Sequence, residues 1–152
     1  MYLAQDRYAE AGPFYRQAIT IYENAFGPEH PSVVAALNSL GGLFQDQGKY
    51  SEALPVFERA LRIEEKTLGQ DHPDIATSLN NLATLNFYLG ANEMAESLYI
   101  RSLEIYENAY GKEHPFVATV LVNMVEFYEK TGRRGEAGIF AERLKQIQSR
   151  YQ

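Results

Sequence analysis

A chain of 152 residues with 45% hydrophobic and 22% charged side chains has the make-up of a folded, water-soluble protein rather than a disordered or fibrous one. Without cysteine it can build neither a disulfide framework nor a thiolate nucleophile nor a cysteine zinc site, and a net charge of −6 opposes sequence-independent nucleic-acid binding, which needs clustered Lys and Arg. No apolar run approaches the roughly 20 residues that span a bilayer, and Met1–Asp6 lacks the charged and apolar regions of a signal peptide, so the expectation is a cytoplasmic protein with no membrane or nucleic-acid partner.

In chain order, the first landmark is Gly27-Pro28-Glu29-His30-Pro31, and the same punctuation returns as Gly69-Gln70-Asp71-His72-Pro73 and Gly111-Lys112-Glu113-His114-Pro115, 42 residues apart each time. A 42-residue shift also lays Leu37, Asn38, Leu40, Leu43 and Gly48 on Leu79, Asn80, Leu82, Leu85 and Gly90, and Ala53, Arg59, Leu61, Ile63 and Glu65 on Ala95, Arg101, Leu103, Ile105 and Glu107. A third copy continues through Leu121, Asn123, Gly132, Ala137 and Arg143. This period suits both helical repeats and β-propeller blades. The spacing inside each unit decides between them: apolar residues such as Leu37, Leu40, Phe44 and then Ala53, Phe57, Ala60 recur every three or four positions, which is helical.

Each unit is therefore predicted as two helices, the first over about 32–47, 74–89 and 116–131, the second over about 51–68, 93–110 and 134–150. Gly48, Gly90 and Gly132 are expected just past the first helix, and Gly27, Gly69 and Gly111 are expected to end the second in the same way. Pro31, Pro73 and Pro115 suit the first turn of the next helix, where no N–H is needed. At the start, Tyr8, Ala11, Pro13, Tyr15, Ala18 and Ile21 fall on Tyr50, Ala53, Pro55, Phe57, Ala60 and Ile63, so residues 7–26 read as a second helix and Tyr2–Gln5 as the last turn of a preceding first helix. Residues 1–26 then form a partial repeat, followed by repeats at 27–68, 69–110 and 111–152. On this reading the chain is cut from a longer array or lacks a first cap. The polar final helix, with Lys145, Gln146, Gln148 and Ser149, suits a terminal cap.

The run Leu40-Gly41-x-x-Phe44-x-x-x-Gly48-x-Tyr50-x-x-Ala53-x-x-x-Phe57-x-x-Ala60 resembles the tetratricopeptide repeat. The Gly-x-x-His-Pro linker and Leu79-Asn80-Asn81-Leu82-Ala83 resemble the longer kinesin-light-chain subtype found also in bacterial arrays. The resemblance implies an all-α fold, a right-handed α-α superhelix of about seven antiparallel helices. It departs at Asn86, Asn92 and Ala141, each of which stands where another unit carries an aromatic; the last two are expected to weaken local packing.

Histidines 42 residues apart do not make a metal site. Successive helix layers take up 8–10 Å while zinc needs nitrogens about 2 Å from one ion, so His30, His72 and His114 are assigned to capping or linker packing. Carboxylates such as Glu64, Glu65, Glu126 and Glu129 have no nucleophile or oxyanion donor placed beside them by the sequence, and no phosphate-binding glycine loop is present. No catalytic residue, metal or cofactor is expected.

The resemblance implies instead a concave groove lined by the first helices: Ala35, Asn38, Ser39, Gly42 and Asp46; Thr77, Asn80, Asn81, Thr84 and Tyr88; Thr119, Val122, Asn123, Glu126 and Lys130. Asparagine offers both an acceptor and donors to an extended peptide backbone, and the alternative for these asparagines is capping or bridging adjacent helices. Ala35, Thr77 and Thr119 stand where relatives that clamp a terminal carboxylate carry Lys or Arg, which argues against that mode. With Asp46, Glu126 and Glu129 nearby, a neutral or basic peptide partner is expected, with Phe87 and Tyr88 as candidate anchors. The reading is a protein–protein interaction scaffold. The alternative is a structural, self-associating or regulatory module of a larger protein, with Ile19, Tyr22 and Phe26 exposed on the first helix and the array ends available for a homodimer.

Overall fold

The computed structural model describes the backbone of residues 2–152 and the side chains of residues 9–152. Among the described residues seven α-helices follow one another: α1 (Tyr2–Phe26), α2 (Pro31–Asp46), α3 (Tyr50–Leu68), α4 (Pro73–Tyr88), α5 (Asn92–Tyr110), α6 (Pro115–Lys130) and α7 (Arg134–Arg150). Two compact units, 1–70 and 71–152, divide the chain inside the second Gly-x-x-His-Pro linker.

The linker histidine is a helix cap in all three copies. Its backbone is extended at the N-cap, and its Nδ1 accepts from the amide of Ser32 (3.2 Å), Asp74 (3.1 Å) or Phe116 (3.1 Å), satisfying one of the four amides a helix start leaves open. The following proline occupies the first helical turn. In two copies the imidazole also stacks on the ring four residues earlier, His30 on Phe26 at 4.5 Å and His114 on Tyr110 at 4.6 Å. Every histidine of the chain is thus committed to starting a helix, and among the described residues no group of three metal-ligating side chains comes together.

The two kinds of helix end differently, against the expectation that they end alike. After α2, α4 and α6 the glycine has φ between +73° and +81°, and the next amide reaches back five residues, as in Lys49 N to Phe44 O at 2.8 Å. This is the Schellman closure. After α3 and α5 the glycine is itself the C-cap, with φ +89° and ψ near +160°, a combination open essentially to glycine alone, and its amide makes a single bond four residues back. The first kind folds the chain tightly into the next helix, and the second leads it out along the linker to His-Pro.

The start of the chain also departs from the sequence reading. Instead of a last turn at Tyr2–Gln5 followed by a new helix, α1 runs unbroken from Tyr2 to Phe26 with Pro13 inside it. The repeat position that carries Gly48, Gly90 and Gly132 is occupied here by Asp6, so the residue type that tolerates the positive-φ turn is missing. The side chains of Tyr2 to Tyr8 lie outside the described residues.

In unit 1, α2 packs against α1 and α3. Gly41 lets α2 approach closely: a β-carbon there would stand 2.8–2.9 Å from the Phe57 ring. Glu23 on α1 and Arg59 on α3 form an ion pair 36 residues apart. Ile19, expected to be exposed, is buried at 7%, whereas Tyr22 (36%) and Phe26 (58%) are open.

In unit 2, α4 and α5 sandwich their apolar faces and α6 packs on both α5 and α7. Tyr99 and Phe127 are the largest fully buried side chains, their centroids 5.7 Å apart, with Phe87 at 5.4 Å edge-on to Phe127. Phe87 is half-buried, with its ring packed against the core residue Phe127. Asn86, at a position aromatic elsewhere, is buried and donates to Leu82 O at 2.8 Å; this satisfies its amide without explaining why the residue is polar. The α5 and α7 helices are tied by Glu107–Arg143, also 36 apart.

A second polar cluster braces the end of unit 2. Tyr128 Oη donates to Glu96 at 2.9 Å, Arg133 reaches the other Glu96 oxygen at 2.6 Å and Glu136 at 2.9 Å, and its guanidinium lies 4.8 Å above the Tyr128 ring. Hydrogen bonding from Arg133 holds the Glu96 carboxyl below its ordinary range, against the opposing effect of burial. Burial, then the bonded Glu96, push the Tyr128 hydroxyl up to about 12, so it remains a donor at all ordinary pH. Because Glu96 ionises more readily in the folded state, its contribution is present in full above the unfolded carboxylate value and lost as pH falls through the lowered folded one. Urea melts from pH 7 down to pH 3 are expected to show the wild type more stable than Glu96→Gln at neutrality and the two converging in acid. A constant gap across that range would refute the assignment.

Candidate functional site

The sequence-predicted residues divide between the two units. On α4 and α6 of unit 2 they form rows at matching repeat positions: Thr77 with Thr119, Asn81 with Asn123, Thr84 with Glu126, and Tyr88 with Lys130. Thr77, Asn81, Tyr88, Thr119, Glu126 and Lys130 are exposed, Thr84 and Asn123 are half-buried, and Asn80 is buried at 6%.

Asn80 is therefore not a surface residue. Its Oδ1 accepts from Asn123 Nδ2 at 3.1 Å, bracing α4 against α6, the bridging alternative for these asparagines. Asn81, one position on and about 100° round the helix, faces out. Thr84 is also committed inward, its hydroxyl bonding Tyr99 Oη at 2.8 Å and Asn80 O at 3.1 Å. Thr77 pairs with Tyr106 Oη, and Thr119 bonds Pro115 O at 3.3 Å.

At the far end of the rows, Lys130 Nζ lies 2.6 Å from Glu126 Oε1. That bond raises the Lys130 pKa and leaves the pair neutral as a unit. Tyr88 is 47% exposed, tilted against Phe87 at 5.7 Å, and so presents an aromatic surface backed by a half-buried ring. Chemically the face offers amide and hydroxyl hydrogen bonding, one aromatic plate and little net charge.

The corresponding α2 residues belong to unit 1. Asn38 is half-buried; Ser39, exposed, donates to Ala35 O at 3.0 Å; Asp46 is exposed. Ser39 also lines a groove of about 250 Å³ between α1 and α2, with Tyr15, Ala18, Tyr22 and Ala35. The sequence reading marked this surface through Ala35 and Ser39 of α2 and Tyr22 of α1, without joining them into one groove. The signal for it was the repeat register itself, which shows which α1 positions are covered elsewhere.

Among the described residues, seven helices joined by short linkers, three started by a capping histidine and six followed by a positive-φ glycine at a 42-residue period, define a helical-repeat protein. The chain belongs to the tetratricopeptide repeat family, whose model matches residues 1–66, 35–107 and 74–150. Among solved structures it is similar to a kinesin light chain-like protein of Podosopora anserina with nearly identical tetratricopeptide-like repeats, at 28% identity and a TM-score of 0.82, over 99% of this chain and 72% of that one. The Q17M variant of that protein gives 27%, 0.83, 99% and 71%. BtubC (BKLC) from P. vanneervenii has a similar fold at 22% identity and a TM-score of 0.86, over 96% of this chain; this chain spans 58% of that structure. Comparison with curated proteins gives no match. The fold class is the all-α tetratricopeptide solenoid of kinesin-light-chain type, and such repeats are generally protein–protein interaction modules. No described helix is long and apolar enough to cross a membrane.

Proposed function

We propose that the chain is a non-catalytic protein-interaction scaffold whose α4/α6 face binds an extended, neutral or weakly basic peptide segment of a partner. The observation that carries this reading is the pair of exposed polar rows, set at identical repeat positions on α4 and α6 and stiffened from below by the Asn80–Asn123 bond. Asn81 would supply paired donor and acceptor to a peptide backbone, Asn123 would repeat the offer with its remaining valences, and Tyr88 would act as the aromatic anchor. Neutralisation of Glu126 by Lys130 favours a partner without dense charge. By repeat position Asn38, Ser39 and Asp46 are the α2 counterparts of this face. A cytoplasmic setting is part of the same proposal.

Asn81→Ala is the clean test, because Asn81 is exposed and its loss strands no buried partner, whereas Asn123→Ala would leave Asn80 unsatisfied. Against a peptide selected by display on the full chain, Asn81→Ala is expected to cost about 0.5–1.5 kcal/mol of binding with unchanged helicity. Unaltered affinity for every selected peptide would remove Asn81 from the site. The alternative, a structural or self-associating role, draws on the exposure of Phe14 (66%), Ile21 (54%) and Phe26 (58%) along α1; a mass that rises with concentration would favour it.

A further inference from the structure

The chain has three histidines, and all three make the same bond: Nδ1 of His30, His72 and His114 accepts the amide of Ser32, Asp74 and Phe116 at 3.1–3.2 Å. Nδ1 accepts only while it carries no proton. The neutral ring therefore holds its proton on Nε2, and a second proton goes to Nδ1, turning the acceptor into a donor aimed at an N–H. These amides lie in the first turns of α2, α4 and α6, where no carbonyl of the same helix can replace the lost partner. The surroundings of the three rings differ. Beside His72 stands the Asp74 carboxylate, with Oδ2 3.8 Å from Nδ1, an acceptor for the proton that the capped amide cannot take. Among the described residues no carboxylate pairs with His30 or His114; the acids next to them in sequence are engaged elsewhere, Glu29 with Lys66 of α3 and Glu113 with Arg150 of α7. The other charged residues within the linkers are Asp71 and Lys112. His30 stacks on Phe26 at 4.5 Å, and His114 lies 4.6 Å from Tyr110 and 4.8 Å from Phe116. Those rings hold the imidazole in place in either charge state but offer Nδ1 no acceptor.

We infer that the three histidines are acid-released helix caps: the first turns of α2 and α6 loosen when His30 and His114 take a proton, while the start of α4 is held because protonated His72 turns its Nδ1–H to Asp74. The sign follows from the bond. The cap is made only by the neutral ring, so its contribution is present in full above the range in which an unperturbed imidazole titrates, about pH 6.5, and is lost as pH falls through that range. The device is local. A lost cap frays one turn, while the apolar faces of α2 and α6 stay buried beyond it. In each unit acid therefore acts on the entry to a first helix of the repeat, and the second helices, α3, α5 and α7, start without any side-chain cap and have no such dependence. The inference stands whether or not the α4/α6 face binds a peptide.

The test is nuclear magnetic resonance on the full, isotope-labelled chain at about pH 7.5 and about pH 5.5, either side of the imidazole range. At the higher pH the imidazole nitrogen resonances are expected to show the Nε2–H tautomer at all three histidines. At the lower pH, solvent exchange of the Ser32 and Phe116 amides, corrected for its intrinsic pH dependence, is expected to be about fivefold faster or more, the loss of one ordinary cap. The Asp74 amide is expected to change less, and in Asp74→Asn the amide of residue 74 is expected to respond as the other two do. His114→Asn keeps a capping acceptor that does not titrate, and is expected to abolish the response at Phe116 while leaving that at Ser32. His114→Ala is expected to show at the higher pH the fast exchange that wild type shows at the lower. Circular dichroism of each variant keeps a lost cap apart from unfolding. The inference is overturned by Nδ1–H tautomers at the higher pH, by protection of Ser32 and Phe116 that is equal at the two pH values, or by a response at Phe116 that survives in His114→Asn.

Discussion

Phe127→Ala is expected to lower the unfolding free energy by about 3–5 kcal/mol, the range for removing a fully buried phenylalanine from a core that cannot collapse around the gap. Phe127 is 1% exposed and touches three rings, Phe87, Tyr99 and Tyr128, at centroid separations of 5.4, 5.7 and 5.1 Å. These neighbours sit on α4, α5 and α6, so each is held by its own helix and none can move in without dragging backbone. Tyr99 is further pinned by Thr84, and Tyr128 by Glu96 and the stacked Phe140. Urea denaturation of the full chain measures the loss; a cost below about 1 kcal/mol would mean that the cluster repacks and that helix position in unit 2 does not depend on it.

Gly41→Val is expected to cost about 1–3 kcal/mol by overpacking, and Phe57→Ala in the same chain is expected to return part of that loss. The new side chain would meet the Phe57 ring at 2.8–2.9 Å from its first carbon, too close for any rotamer to relieve. Gly41 faces Phe57; by the repeat register Ala83 and Tyr99 hold the same two positions in the next unit, and Val125 and Ala141 hold them in the last. In the last unit the largest of the three first-helix residues comes with the smallest second-helix residue, whereas Ala83 comes with the full-sized Tyr99. The double variant imitates the last unit, and denaturation midpoints for the two single variants and the double form a cycle with a favourable coupling. Strict additivity would show that the ring has room to move aside.

Helix boundaries were legible because three short signals mark them, and all six helices from α2 on start and stop within one residue of the positions the linkers and glycines indicate. The capping role of the histidines was legible for the same reason, being local to three residues. What the register could not reveal were contacts between unlike positions. A 42-residue shift maps each residue onto its counterpart, but Asn123 bonds Asn80 at an offset of 43, Glu96 and Arg133 meet at 37, and the helix-to-helix ion pairs at 36. Asn80 and Asn81 consequently looked alike as letters and part ways only once α6 lies beside α4. Ile19 was misjudged for a similar reason: its burial depends on α2 and not on its own helix. The missing glycine at Asp6 was visible in the sequence, yet the alignment of its neighbours masked its consequence for α1.

The capping histidine uses its own imidazole nitrogen and an amide two residues ahead, and the glycine before it needs no neighbour to adopt its conformation. Each 42-residue block therefore carries the hydrogen-bonded part of its initiation signal within five residues, with the ring before the glycine adding a stacking contact at His30 and His114. A tandem duplication or deletion with both cuts at these glycines preserves every helix start, so the array can lengthen or shorten by whole blocks without inventing a new junction. The cost of such an event falls on the residues that meet across helices, such as the closely packed pair at 41 and 57, and those are where newly copied blocks must diverge.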